Sequence, residues 1–177
     1  MRKHLLFVLF TLAFVACKTD PAQKVAQLEQ QLLVLDKEFG GTKVVDKEKA
    51  IAFIQISEEL AALVQTIDPD KYASVLLKAA GLAKTIEKPQ KAVELYGKVA
   101  NEMPQHAKAP TALFMLAFVY ENDLSDLATA KTTYELFLQR YPNDPDFADD
   151  AQNSLKMLGK SPEEIIREFE KMQEKTQ

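Results

Sequence analysis

Cys17 is the first candidate for a reactive or modified residue, because it is the only cysteine among 177 residues. It cannot form a disulfide within its own chain, so it is a buried apolar residue, a reactive thiol, a link to another chain or a site of modification. Arg2 and Lys3 precede the apolar run LLFVLFTLAFVA at residues 5–16. This layout is typical of a signal peptide, and as a helix the run would reach only about 18 Å, short of the roughly 30 Å hydrocarbon layer.

The residues just before Cys17 favour lipid modification. Ordinary signal cleavage needs small side chains one and three residues before the cut, and Phe14 would occupy the second of these positions. The stretch FVAC at residues 14–17 instead resembles the bacterial lipobox, whose cysteine is lipidated and becomes the mature N-terminus. The resemblance implies a lipoprotein signal peptide at 1–16, a tether at 17–21 and lipid attachment at Cys17. The alternative is an ordinary signal peptide that leaves an unmodified thiol.

No other set of residues forms a catalytic or metal-binding pattern. His106 is the only histidine after His4, so a zinc site would lack ligands. The glycines form neither a dinucleotide fingerprint nor a phosphate loop. The densest acidic cluster lacks the glycine and the glutamate of a calcium loop, and capping of the following helix explains it; it consists of Asp144, Asp146, Asp149 and Asp150. We therefore predict a protein that is not an enzyme and holds no metal or cofactor.

The charge of the chain argues against nucleic acid as a partner. Two of the 22 basic side chains belong to residues 1–16, so removal of that segment moves the formal charge from −4 to −6. An acidic chain without a concentrated run of Lys and Arg has no electrostatic footprint for phosphates. Membrane attachment would then come from acyl chains rather than from charge.

Prolines divide the central chain into units of similar length. Pro69, Pro104 and Pro142 lie 35 and 38 residues apart, close to the roughly 34 residues of a tetratricopeptide repeat. The second unit fills that repeat's pattern with Leu113, Leu116, Ala117, Tyr120, Ala130, Tyr134 and Pro142, after one extra residue in its turn. The first unit fills it with Leu76, Ala79, Ala80, Ala83, Ala92, Tyr96 and Pro104. The small residues would allow two antiparallel helices to approach closely.

The resemblance to tetratricopeptide repeats implies an all-α solenoid of antiparallel helix pairs. We expect this domain over 46–177, with repeats at about 73–106 and 110–144 and degenerate capping units at 46–69 and 146–174. Residues 46–69 are predicted as one helix capped by Asp46. Ser161 and Glu164 predict a capping box at the start of the last helix.

An amphipathic helix is predicted at 22–39, within an N-terminal segment and linker that extends to 45. Its apolar residues recur at steps of three and four before Gly40 and Gly41; they are Val25, Leu28, Leu32, Leu35 and Phe39. Two heptads are fewer than a secure coiled coil requires. Two alternatives follow: the helix packs on its own repeat domain, or these residues form the seam of a homo-oligomer.

The resemblance also implies a binding groove, because the first helices of tetratricopeptide pairs line a concave face. The groove positions carried onto this sequence are Phe114, Phe118 and Glu121 in the second unit and Leu77 and Lys84 in the first. Phe114 and Phe118 lie one helical turn apart and predict an anchor site for a peptide or helix. The alternative is that the chain's own helix at 22–39 or 162–174 fills the groove.

Residues 112–152 resemble the repeats of bacterial envelope proteins, including the periplasmic partner of the Tol-Pal system and a lipoprotein of the β-barrel assembly machine. The whole chain resembles small tetratricopeptide lipoproteins of Bacteroidetes-type bacteria. These resemblances imply a lipid-anchored adaptor at the outer membrane, on its periplasmic or its surface face, that binds another envelope protein or peptide in envelope assembly or maintenance. One alternative is a structural protein that self-associates through the 22–39 helix. Another, a nutrient-capture lipoprotein, is disfavoured by the absence of tryptophan.

Overall fold

The computed structural model describes residues 20–39 and 45–161, together with residues 163, 164, 166 and 167, and these ranges are all-α. The helices are α1 (Pro21–Phe39), α2 (Lys47–Val64), α3 (Pro69–Thr85), α4 (Pro89–Glu102), α5 (Ala109–Asn122), α6 (Leu127–Arg140) and α7 (Ala148–Met157). None of the helices in the described ranges is long and apolar enough to cross a membrane. The predicted signal peptide, Cys17, the Gly40–Gly41 break and most of the predicted 162–174 helix lie outside the described residues.

Aspartates and prolines fix where several helices begin. The carboxylate of Asp46 accepts hydrogen bonds from the N–H groups of Glu48 and Lys49 at 3.0 and 3.1 Å, which confirms the predicted cap of α2. Asp68 and Asp126 cap α3 and α6 in the same way. Helices α3, α4 and α5 each carry a proline in the first turn, where a missing N–H has no helical partner to lose.

The turns within the two central helix pairs differ in length by one residue, as the sequence predicts. Three residues, 86–88, separate α3 from α4, whereas four residues, 123–126, separate α5 from α6. Each turn reverses the chain through one residue with positive φ, Glu87 at 60° and Ser125 at 53°. The extra residue therefore changes the turn without changing the pairing of the helices.

Each helix packs on the next along the chain, which produces a solenoid of antiparallel pairs. The orientation of α1 on α2 follows from two ion pairs: Lys24 to Glu59 at 2.8 Å and Lys49 to Glu38 at 2.7 Å. The residue numbers of these partners increase along α1 while they decrease along α2, so the two helices are antiparallel. The predicted all-α, tetratricopeptide-like solenoid is thus confirmed.

Helix α1 is also aligned with α3, the first helix of the next pair. Lys71 forms an ion pair with Glu29, and Lys78 forms one with Asp36. Both pairs join residues 42 positions apart, so α1 and α3 run in the same direction. Helix α1 therefore supplies the first helix of the opening unit, and α2 supplies the second.

The residues predicted as a possible oligomer seam pack inside their own chain. Leu28 and Leu32 of α1 are buried in the common core, and Val25, Leu35 and Phe39 pack against it. The Phe39 ring meets the Phe53 ring of α2 edge to face, with centroids 5.9 Å apart. The structure therefore favours the first alternative, in which this helix packs on its own repeat domain. The apolar residues of α1 cover the open end of the solenoid.

The C-terminal part of the solenoid differs from the prediction in one cap. Asp144 accepts from the N–H groups of Asp146 and Phe147 at 3.1 and 2.9 Å, so it caps the turn before α7 rather than α7 itself. The predicted capping box is present beyond α7. Ser161 N–H donates to the Glu164 carboxylate at 2.7 Å, and Glu164 N–H donates to the Ser161 hydroxyl at 3.3 Å.

Ser57 fits poorly among the small residues where the described helices approach closely. It holds the same place relative to Pro69 as Ala92 and Ala130 hold relative to the later prolines. All three side chains are fully buried. Among the residues that the structure describes, the Ser57 hydroxyl has no hydrogen-bond partner, and a buried hydroxyl without a partner destabilises a fold.

We expect Ser57→Ala to raise the free energy of unfolding by about 1 kcal/mol, measured from urea unfolding with an unchanged m-value. Ser74→Ala is the matched control, since the exposed Ser74 hydroxyl donates to the Asp70 carbonyl at 2.6 Å. Both variants gain alanine's helix propensity, so the difference between them reports the buried hydroxyl. Equal effects of the two changes would contradict the interpretation.

Candidate functional site

The candidate site lies on the face formed by the first helices α3 and α5. Four predicted groove residues are found there, all half-buried: Leu77, Lys84, Phe118 and Glu121. We call these four residues the groove face. The helices that carry them contact each other directly, so the groove face is one continuous surface across the two central pairs.

Lys84 joins the two helices of the groove face. Its ammonium nitrogen lies 5.1 Å from the centroid of the Phe118 ring and 3.7 Å from the Asp123 carboxylate. A cation over an aromatic ring is attracted by the ring's negative face. Phe118 is therefore in contact with a cation from the neighbouring helix while the residue stays partly exposed.

Glu121 is hydrogen-bonded to α6, the second helix of its pair. The hydroxyl of Tyr134 donates to the Glu121 carboxylate at 2.8 Å. Burial is the main cause that raises the pKa of Tyr134 well above its usual range. The hydroxyl therefore stays protonated at physiological pH and keeps the carboxylate in place on the groove face.

A second buried tyrosine supports the α3 side. Burial raises the pKa of Tyr96 to about 12, with a smaller contribution from the negative charge of Asp123. Tyr96 belongs to α4, and its hydroxyl lies 3.7 Å from the position that a Cβ would take at Gly81 of α3. The two tyrosines thus occupy matching positions in the two pairs, each behind the groove face.

The structure corrects the placement of Phe114, which the sequence assigned to the groove. Its side chain is only 7% exposed. The ring stacks on Phe147 with centroids 4.6 Å apart and meets Tyr134 and Phe137 at 5.7 and 6.0 Å. Phe114 is a core residue because the ring of Phe147, from the segment before α7, covers it.

A cleft between α1 and α3 is a feature that the sequence prediction missed. It encloses about 290 Å³ and has an apolar lining that includes Leu32, Leu33, Phe53, Leu60 and Val75. The Lys71–Glu29 and Lys78–Asp36 ion pairs bridge the same two helices. The sequence signal for this cleft was the adjacent pair Leu32 and Leu33. A single apolar stripe on a helix buries only one of two adjacent residues, so the other leucine needs a second contact surface.

The second central pair carries the family match. Residues 111–144 match the tetratricopeptide repeat. The match spans almost all of α5 and the whole of α6, so Phe118, Glu121 and Tyr134 lie within the matched segment. No curated protein matches the chain.

Tetratricopeptide repeats are generally non-catalytic scaffolds that bind other proteins. Within the described ranges, no three His, Cys, Asp or Glu side chains come together as a metal site would require. The groove face instead offers an aromatic ring, an aliphatic side chain and one charge of each sign, which suits a protein surface or peptide.

Two phenylalanines four residues apart should respond very differently to truncation. We expect Phe114→Ala to lower the free energy of unfolding by about 3 to 5 kcal/mol, the usual range for a buried phenylalanine. Phe118→Ala should cost about 1 kcal/mol, since it loses mainly the cation contact of Lys84. Urea unfolding of both variants makes the comparison. A similar loss in both would mean that Phe118 is a core residue and would remove the anchor from the groove face.

Proposed function

We propose that this protein is a lipid-anchored adaptor that binds another envelope protein through the groove face. The observation that carries the proposal is the Phe118 ring, which is oriented by Lys84 yet remains partly exposed. An aromatic side chain with a fixed orientation is a frequent anchor of binding energy at protein interfaces. The match of residues 111–144 to a repeat that generally binds proteins supports the same function.

The geometry favours a partner that presents apolar side chains in a row, such as an amphipathic helix or an extended segment. Phe118 and Leu77 offer apolar contacts on α5 and α3, and the α1–α3 cleft offers a further apolar site beyond them. Lys84 and Glu121 provide charges of both signs beside the ring. A helix or strand with apolar anchors and polar flanks would engage all three first helices.

The location in the proposal rests on the sequence around Cys17. The lipobox-like FVAC supports acylation of Cys17 and attachment to the outer membrane. The resemblance to envelope repeat proteins supports a role in envelope assembly or maintenance. The domain would then hold its partner close to the membrane by binding alone, without a catalytic step.

Photo-crosslinking in cells tests the groove. A benzoylphenylalanine placed at position 118 should capture a separate envelope protein, identified by mass spectrometry, whereas the same group at Leu127 of α6 should not. Capture should be lost in Lys84→Glu, which reverses the charge that orients the ring, and kept in Lys131→Glu on the exposed side of α6. Crosslinks from position 118 only within the chain would overturn the proposed groove.

The lipid anchor has its own test. We expect Cys17→Ser to abolish acylation and to move the protein from the membrane to the soluble fraction, because the thiol that accepts the lipid is gone. Fractionation of cells and mass spectrometry of the N-terminal peptide measure both effects. Thr11→Ser, a conservative change in the same leader, is the control. A Cys17→Ser protein that is processed and membrane-bound as before would refute the anchor.

A further inference from the structure

Two large apolar side chains stand exposed at one end of the opening helix pair. Ile67, in the turn after α2, is 74% exposed, more than any other large apolar residue in the described ranges. Leu63 lies one helical turn before it and is 37% exposed. Single exposed leucines are common on soluble proteins. The location of Leu63 and Ile67 therefore decides whether their exposure indicates a contact surface.

These side chains lie at the end of the fold where the described chain begins. Lys24 pairs with Glu59 across the antiparallel α1–α2 pair. Three residues back along α1 is Pro21, and four residues on along α2 is Leu63. The first turn of α1 therefore lies beside the last turn of α2, with Ile67 directly after it.

The proposed lipid site lies within a short reach of the same end. Cys17 precedes Pro21 by four residues, and an extended chain spans at most about 3.6 Å per residue. An acylated Cys17 would thus keep the start of α1 within about 14 Å of the lipid surface. This step rests on the proposed anchor.

The part of this end that α1 and α2 form is short of charge. Six exposed residues share it, none of them ionisable: Pro21, Ala22, Ala62, Leu63, Thr66 and Ile67. We call this surface the tether corner. At its edge Lys24 is neutralised by Glu59, and Asp68 by Lys71 at 3.2 Å. The Asp20 carboxylate, also at the edge, accepts from the N–H of Ala22 at 3.2 Å. Other charged groups adjoin the corner: Glu102 accepts from the Gln65 side chain at 2.9 Å, and the exposed Asp70 carboxylate contacts His106 at 3.1 Å. The corner itself carries no ionisable side chain, whereas charged residues make up 27% of the chain.

We propose that the tether corner rests on the lipid surface, with Ile67 and Leu63 inserted at the interface. An apolar contact beside a lipid anchor adds a second membrane signal and restricts rotation about the tether. The helices then stand end-on to the membrane, and the first-helix face points sideways into the aqueous phase. Phe118 lies nine residues along α5, or about 14 Å from its membrane end at 1.5 Å per residue.

The test uses the full chain, acylated at Cys17, in vesicles of phosphatidylethanolamine and phosphatidylcholine that contain doxyl-labelled lipid. Because acylation consumes the native thiol, Ile67→Cys supplies the single free thiol, which carries the fluorophore NBD. Val34→Cys is the matched control, since Val34 is 49% exposed and lies toward the opposite end of α1 from Pro21. Circular dichroism confirms that both labelled proteins keep the fold.

We expect NBD at position 67 to shift its emission to shorter wavelength and to be quenched by the doxyl lipid at least twice as strongly as NBD at position 34. An unquenched label at 67 on acylated protein would overturn the end-on orientation and leave the anchor standing. Equal quenching at both positions would mean that α1 lies flat, which also overturns it.

Two further outcomes separate the other occupants of the corner. A blue shift at 67 without lipid quenching, accompanied by a doubled mass in analytical ultracentrifugation, would assign the corner to a second copy of the chain and refute the lipid contact. Absence of an acyl group at Cys17 in the mass spectrum would overturn both this inference and the proposed anchor.

Discussion

The close approach of neighbouring helices through buried alanines sets the geometry on which the rest of the structure depends. Ala80 and Ala92 in one pair, and Ala117 and Ala130 in the next, have no exposed surface. Larger side chains at these positions would separate the helices and could not be accommodated without strain. Between neighbouring pairs, Lys84 of α3 reaches the Phe118 ring of α5, and this contact joins the two helices of the groove face.

A solenoid built from nearest-neighbour contacts has two ends that must be covered. At one end α1 packs Leu28 and Leu32 into the core, and beyond the second central pair Phe147 covers Phe114. The α1 stripe was predicted either to pack on the repeat domain or to form an oligomer seam, and Phe114 was predicted in the groove, because each apolar pattern also suits a partner. These residues are buried inside the chain because the fold needs them to cover its own core. Phe118 remains as the partly exposed aromatic residue of the groove face.

Local signals were sufficient to predict the helix pairs, the Asp46 cap, the extra turn residue and the Ser161–Glu164 capping box, because each depends on residues a few positions apart. Phe114 was misplaced because the ring that covers it, Phe147, comes from beyond the end of α6, in a segment without a repeat signature. The α1–α3 cleft was missed for a similar reason. It lies between two helices whose ion pairs join residues 42 positions apart, and no periodicity within either helix specifies which residues of the two helices meet.

The electrostatics of the groove face suit reversible binding. Lys84 is shared between Phe118 and Asp123, and its 3.7 Å separation from the carboxylate is long for an ion pair. Both side chains are nearly a third exposed, and ion pairs of that kind contribute little to stability. A partner carboxylate could therefore take the place of Asp123 without a large penalty, while the cation would still hold the Phe118 ring. The groove face is thus ordered by an interaction that can be exchanged, so binding would require little rearrangement of the repeats.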